Sequence, residues 1–423
     1  MLVPCNARAL QAFRGTEPAA DVERNGTMSK RIERREFLAA CAAVSATASL
    51  GGIAYGQQAG FVPANISLDA SPSGRRMLAE FMGLSFEASL IPGGAFFNGS
   101  NRALIDYVRG LGSRGILQFG GPNVDTTAYA PADLASLAQF LDAVGWRAIL
   151  GLSLGAPVFG VADQASKASQ ALGERLLAFE LGSAPDLRFK DYGSFLTAFR
   201  ARVASISAND PAAMYAGPGT AAHPDWAARF GQDERPQLVM ITQQYRHTGG
   251  EAALRIGVRD LPKSTALVDL PYRIEQIVSS ANNMSNALWA LDFGLELAAS
   301  GADGANFHDD ADGQRGPLYQ ALLLLKESID ARFVTRQLQT TNNNFSAFAI
   351  ERDNGTRVVT LINRDSNVGV TVNVNASRPA RNPRVRRLTA LSMDTTQVNV
   401  VDWQTADPAA LDVPPASAAV LTL

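Results

Sequence analysis

Between residues 79 and 330, short apolar runs alternate with helix-like amphipathic stretches, and this alternation limits the fold more tightly than any other feature of the chain. Gly115-Ile116-Leu117-Gln118-Phe119 ends in Gly120-Gly121. Arg147-Ala148-Ile149-Leu150-Gly151-Leu152 follows a helical pattern over residues 132–144. Leu176-Leu177-Ala178-Phe179-Glu180-Leu181, Leu238-Val239-Met240-Ile241-Thr242, residues 266–270 and Ala302-Asp303-Gly304-Ala305-Asn306-Phe307 continue the series. Strands separated by helices pair in parallel, since each crossover returns the chain to the same end of the sheet. That series over about 250 residues suits a (β/α)8 TIM barrel better than an open doubly wound sheet. No Gly-x-Gly-x-x-Gly follows a strand to support nucleotide binding.

After Asp330 the texture changes. Phe345-Ser346-Ala347-Phe348-Ala349-Ile350 and Val358-Val359-Thr360-Leu361-Ile362 flank Asp353-Asn354-Gly355, a strong hairpin signal. Val368, Val370, Val372 and Val374 alternate with Gly369, Thr371 and Asn373 in the period of a strand, and residues 418–423 close the chain in another. Residues 331–423 therefore read as a C-terminal antiparallel β-sandwich, so the fold class is α/β with an appended sandwich. Residues 79–330 form the barrel. Residues 60–78 precede it, with residues 66–77 placed to lend the sandwich a strand.

Residues 28–59 read as an address. Arg34-Arg35-Glu36-Phe37-Leu38 within a basic segment looks like a twin-arginine signal, followed by a weakly apolar run and the small residues Ala54 and Gly56. Ser45, Thr47, Ser49, Gly51 and Gly52 interrupt that run, which weakens it as a spanning helix. The expectation is a signal removed on export, leaving a periplasmic or secreted product with no membrane segment. Residues 1–27 are an upstream extension or an overcalled start, with Met28 as the alternative.

Composition then removes several classes of function. Lys+Arg 38 against Asp+Glu 40 gives no basic surface for a phosphate backbone, so no nucleic-acid partner is expected. Cys5 and Cys41 both precede the expected mature start, which excludes a disulfide framework or a cysteine nucleophile. His223, His247 and His308 show no ligand spacing, so neither metal nor other cofactor is implied. The oligomeric state has no signature.

In such a barrel, chemistry sits at the C-terminal ends of the strands. The segments read as strand ends are Gly120-Gly121-Pro122-Asn123-Val124-Asp125, Gly182-Ser183-Ala184-Pro185-Asp186, Gln243-Gln244-Tyr245-Arg246-His247, Tyr272-Arg273-Ile274-Glu275-Gln276 and Asn306-Phe307-His308-Asp309-Asp310. Amides, carboxylates and aromatics of this kind suit the hydroxyls and apolar faces of a sugar. Glu87, Asn123, Asp125, Ser183, Gln244, Tyr245 and His308 are the candidate substrate contacts, and a carbohydrate is the expected ligand. Trp289, inside a helical apolar pattern, reads as core.

These blocks resemble glycoside hydrolase family 79, the β-glucuronidase and heparanase-like enzymes, over most of residues 61–423. Gly83-Leu84-Ser85-Phe86-Glu87, Phe97-Asn98-Gly99-Ser100-Asn101 and the stretch from Ala287-Leu288-Trp289 to Asn306-Phe307-His308 carry the likeness. The resemblance implies a retaining mechanism with two glutamates, at the ends of the fourth and seventh strands, about 5–5.5 Å apart. The chain departs from the pattern at both. Where the family reads Gly-Asn-Glu-Pro-Asp, Ala184 occupies the acid/base position and Ser183 that of the asparagine. Gln276 occupies the nucleophile position. Gln244 stands for a histidine, Gln118 for an arginine and Pro122 for an asparagine.

Two neighbouring glutamates stand near these positions. Glu180 shares strand parity with Ala184 but lies four residues earlier, roughly 13 Å down the strand and out of reach. Glu275 is one residue off and is expected to face outward, although a local bulge would bring it back as a displaced nucleophile. Three readings stand: a catalytically degenerate glycan-binding protein of this family, with a uronic-acid-containing glycan in view; an active retaining β-glucuronidase-type enzyme using Glu275; and a scaffold with no carbohydrate role.

Overall fold

A computed structural model describes residues 60–155, 160–246, 270–278, 281–309, 315–378 and 382–423. The signal-like segment lies outside the described residues. Eight parallel strands close into a barrel. In chain order they are Met82–Glu87, Ile116–Gly120, Arg147–Leu152, Leu176–Leu181, Tyr215–Thr220, Leu238–Arg246, Tyr272–Val278 and Gly304–His308. Helices on the outside cover the apolar side chains that alternate strand positions turn away from the axis. The helix Arg102–Leu111 buries Leu104, Ile105, Tyr107, Val108 and Leu111, one face at helical spacing, and Asn101 caps it by accepting from the Leu104 amide.

Two strand assignments change. The seventh strand is Tyr272–Val278, so the segment read as its following loop lies within the strand. The run at residues 266–270 is not that strand; Leu270 precedes it, and residues 266–269 lie outside the described residues. The fifth strand, Tyr-Ala-Gly-Pro-Gly-Thr, had no apolar run to announce it.

Four strands, in the order Arg336–Thr340, Phe61–Leu68, Gly369–Asn375 and Leu411–Val413, form one sheet of the sandwich. The other has seven and runs from Asn399–Thr405 to Arg76–Met77. The hairpin around Asp353-Asn354-Gly355 pairs Ile350 with Val358 in register. The chain before the barrel thus feeds both sheets, through Phe61–Leu68 and Arg76–Met77.

The helix Met284–Ser300 is apolar almost all round because it is covered on two sides. Tyr245 of the sixth barrel strand stacks on its Phe293 and Trp289. On the sandwich side its Asp292 accepts from Ser346 and pairs with Arg364. Trp289 is accordingly core.

Inside the barrel the side chains lie in layers. Ile116, Ile149, Ala178, Ala216 and Met240 form an apolar cluster toward the strands' N-terminal ends. Two residues further along these strands, the interior becomes polar with Gln118, Glu180 and Thr242, all buried. Across from them Arg273 donates to Asn306 at 2.7 Å and to the Phe81 carbonyl at 3.2 Å. Burial lowers the Arg273 guanidinium to about 10, against the pull of Glu80, Asp303 and Glu275.

Candidate active site at the barrel mouth

The fourth strand carries Glu180 inward with 2% of its surface exposed. Gln118 of the second strand donates to one carboxyl oxygen at 2.9 Å, and Thr242 of the sixth donates to the other at 2.7 Å. Glu275 of the seventh strand points toward the same place, with its carboxyl beside Gly219, and is 0% exposed. The expectation that Glu275 faces outward is therefore overturned. Arg273 and Glu275 share a parity and both enter the interior, while Tyr272, Ile274 and Ile277 pack away from it.

The pair is backed by Gly219, whose φ of +65° is ordinary for glycine and strained for other residues. A Cβ there would lie 2.9 Å from Oε1 of both Glu180 and Glu275. Two ionised carboxyls have only acceptors to offer each other, so contact between them requires a shared proton. Burial, the Glu180 charge and the hydrogen bond to Glu180 hold Glu275 well above the ordinary carboxyl range; Arg273 opposes them. Burial raises Glu180 too, opposed by the hydrogen bonds it accepts from Glu275, Thr242 and Gln118. Burial and the neighbouring carboxyl thus favour a proton on the pair.

Just above this layer, the backbone departs from regular geometry at two strand-end positions. Ala184 has φ +43° and Gln276 φ +46°, both in the left-handed region that disfavours residues with a Cβ. At Gln276 the seventh strand bulges. Against the eighth strand the register passes from Ile274↔Ala305 to Ile277↔Phe307, and against the sixth it shifts between Gln244↔Glu275 and Val278↔Arg246. The freed Gln276 amide donates to Ser85 Oγ at 3.0 Å, and its side-chain nitrogen lies over Gly120 beside Gln118. A bulge sets two residues against one of the neighbour, so Glu275 and Gln276 both turn inward, at different depths.

The other candidates divide between mouth and scaffold. Ser183, Ala184, Gln244, Gln276 and His308 are half-buried on strand ends, and Gln244 donates to Ser183 at 3.0 Å across strands four and six. His308 shares the inward parity of Asn306 and pairs in register with Ser85. Glu87 ends the first strand with its carboxyl against Gly121, where a side chain would not fit. Asn123 is exposed, and its carbonyl, not its side chain, holds Thr126 and Thr127. Tyr245, expected as a substrate contact, turns away from the mouth: its ring faces the helix Met284–Ser300, because Thr242 and Gln244 take the inward positions of that strand.

The two aspartates near the mouth hold loops. Asp125 accepts from the Leu154 and Gly155 amides at 2.8 and 3.1 Å and pairs with Arg188. Asp186 accepts from the Ala221 amide at 3.0 Å and the His223 amide at 2.7 Å, fastening the loop after strand four to that after strand five. Among the described residues no group of three or more His, Cys, Asp or Glu side chains could hold a metal ion. No helix among them is long and apolar enough to cross a membrane.

No protein-family model matches the sequence, and no curated protein sequence matches it. Solved structures do. A GH51 arabinofuranosidase from Xanthomonas axonopodis pv. citri superposes with TM-score 0.65 at 14% identity, covering 85% of this chain and 99% of that one. A 4-O-α-L-rhamnosyl-β-D-glucuronidase from Fusarium oxysporum 12S gives 0.65 at 14%, covering 85% and 100%. A family 44 xyloglucanase from Paenibacillus polymyxa gives 0.59 at 10%, covering 85% and 99%. At such identity the likeness establishes the fold alone: a (β/α)8 barrel with a β-sandwich, of the kind glycoside hydrolases use.

Proposed function

We propose that this chain is an exported glycan-binding protein built on a glycosidase frame of the family 79 type, with the hydrolytic step lost. One observation carries the reading. The two glutamates that face each other across Gly219 lie below the mouth and are buried, while the strand-end positions above them are Ala184 and Gln276. Retaining hydrolysis needs an acid and a nucleophile flanking a sugar at about 5–5.5 Å. A pair buried inside the barrel, with no exposed surface on Glu275, has no room for a glycosidic bond between its members. The inward turn of Glu275 favours the displaced-nucleophile reading as far as direction goes, but its burial opposes it.

The polar strand ends and the glycoside hydrolases among the structural neighbours support a carbohydrate ligand. A uronic-acid-containing glycan follows from the family likeness, and export from the paired Arg34-Arg35. Titration calorimetry with uronic-acid oligosaccharides, followed by product analysis of the same samples, tests the proposal. Saturable heat with intact oligosaccharide is expected. Cleaved product, or no heat with any member of a glycan panel, would overturn it.

A further inference from the structure

The loop after the fourth strand carries an arginine onto the rim of the mouth. Arg188 pairs with Asp125, which belongs to the loop after the second strand. Its guanidinium also lies over Gly155, in the loop after the third, where a Cβ would come within 2.4 Å of Nη2. One side chain thus spans three neighbouring loops, all on the side of the barrel where the strands end. The two members of the pair differ in access. The Asp125 side chain is 8% exposed and also accepts from the Leu154 and Gly155 amides, whereas that of Arg188 is 42% exposed. Asp125, a candidate substrate contact in the sequence, therefore stands behind Arg188.

The chain around Arg188 is held in place on both sides. The amides of Leu187 and Arg188 donate to the carbonyls of Ala184 and Pro185 at 3.1 and 3.0 Å, and that of Phe189 donates to Pro185 at 2.8 Å. Asp186 fastens the same turn to the loop after the fifth strand. Leu187 nevertheless leaves 66% of its surface in solvent, between the buried Asp186 and the exposed Arg188. The turn begins at Ser183, which accepts from Gln244 in the mouth. A guanidinium fixed before the ligand arrives has little side-chain freedom left to lose on binding.

We infer that Arg188 is the specificity-determining contact for an acidic sugar at the mouth: its N–H groups turned away from Asp125 take the carboxylate of the ring, and Leu187 beside it meets the ring's apolar C–H face. The inference rests on the proposed glycan binding and gives the acid a place on the rim. A guanidinium presents its N–H donors as a planar fork, and Asp125 occupies only part of it. A carboxylate fits such a fork with two parallel bonds, which a sugar hydroxyl does not. Arg273 is buried below the mouth and engaged by Asn306 and the Phe81 carbonyl, and Arg147 pairs with Glu80 at the opposite rim.

Titration calorimetry of the full chain tests this with glucuronic-acid oligosaccharides, each beside its carboxyl-reduced counterpart, in which a hydroxymethyl group replaces the carboxylate. The wild type should bind the acidic form about tenfold more tightly, and the preference should shrink as salt rises. Arg188→Gln should bring the two forms level while affinity for the reduced form stays unchanged. Arg188→Lys keeps a cation beside Asp125 but loses the fork, so it should retain part of the preference; it keeps the test intact if the glutamine variant fails to fold. Leu187→Ser should weaken both forms alike. A wild type that binds the two forms equally, or an acid preference that survives in the folded Arg188 variants, would overturn the inference and leave glycan binding standing. Equal losses of both forms in those variants would overturn it too, since Arg188 would then only brace the loops. A wild type that binds neither form would overturn the proposed function itself, and the inference with it.

Discussion

Replacing Glu275 with glutamine should change how stability depends on pH, and the direction follows from the pair's geometry. Both carboxyls have folded-state affinities for the proton above the ordinary range, through burial and proximity. A raised group contributes its full stability below the ordinary carboxyl range and loses it as pH climbs through the raised value. Over that interval the folded chain keeps a proton on the pair that the unfolded chain has released. One proton of difference corresponds to a slope of about −1.4 kcal/mol per pH unit, or about 2.7 kcal/mol over two units. Glutamine at 275 keeps the donor toward Glu180 and removes the titration. Urea unfolding of both proteins across a pH series from about 5 to 8 isolates the effect as a difference, in which groups remote from the pair cancel. The wild type should lose ground on Glu275→Gln by about 1.4 kcal/mol for each unit of pH rise within the interval. Parallel stability curves would show that no proton is held there, and the account of the barrel interior would fail.

Asp186→Ala should cost about 2–4 kcal/mol in urea midpoints, since it strands backbone amides that now donate to a buried carboxylate; Asp186→Asn should cost less. Gly219→Ala places a Cβ against both carboxyls at a positive φ, so a loss of at least about 1–2 kcal/mol is expected from the backbone alone, read as a lower thermal midpoint. Tyr245→Ala should lower stability by about 3 kcal/mol by leaving Phe293 and Trp289 without their stacking partner, while glycan affinity by calorimetry stays within a factor of two or so. The triple change Ser183→Asn, Ala184→Glu and Gln276→Glu should raise aryl β-glucuronide hydrolysis about a hundredfold over the wild type. A folded but inert triple variant would mean that the mouth has changed shape as well as chemistry.

The architecture was legible because most barrel strands announce themselves as apolar runs between helical patterns, and the sandwich through its hairpin turn and period-two valines. The seventh strand was not, for a physical reason. Its inward side chains, Arg273 and Glu275, meet a polar interior, so the strand lacks the apolar signature and the neighbouring run at 266–270 drew the assignment. The fifth strand hid behind Gly217-Pro218-Gly219, of which Gly219 leaves room for the two carboxyls.

The pair itself left traces that strand parity alone did not resolve. A glutamate inside Leu-Leu-Ala-Phe-Glu-Leu needs a buried partner, and Arg273 and Glu275 alternate with Tyr272 and Ile274, which already places both on one face. Parity counted from Gln276 points the other way, because the bulge there lets consecutive residues face the same side. Glu180 is too deep to serve position 184, but Glu275 is deep too, and both lie against Gly219. Tyr245 was misplaced by its nearness to a strand end, when the alternation with Thr242 and Gln244 turns it outward.

The most direct measurement is steady-state hydrolysis of an aryl β-glucuronide by the purified wild type and by Glu275→Gln, side by side. If the facing carboxyls serve the barrel and not a glycosidic bond, both proteins release aryl alcohol at the same background rate. Turnover by the wild type that disappears in the variant would contradict this and make Glu275 the nucleophile.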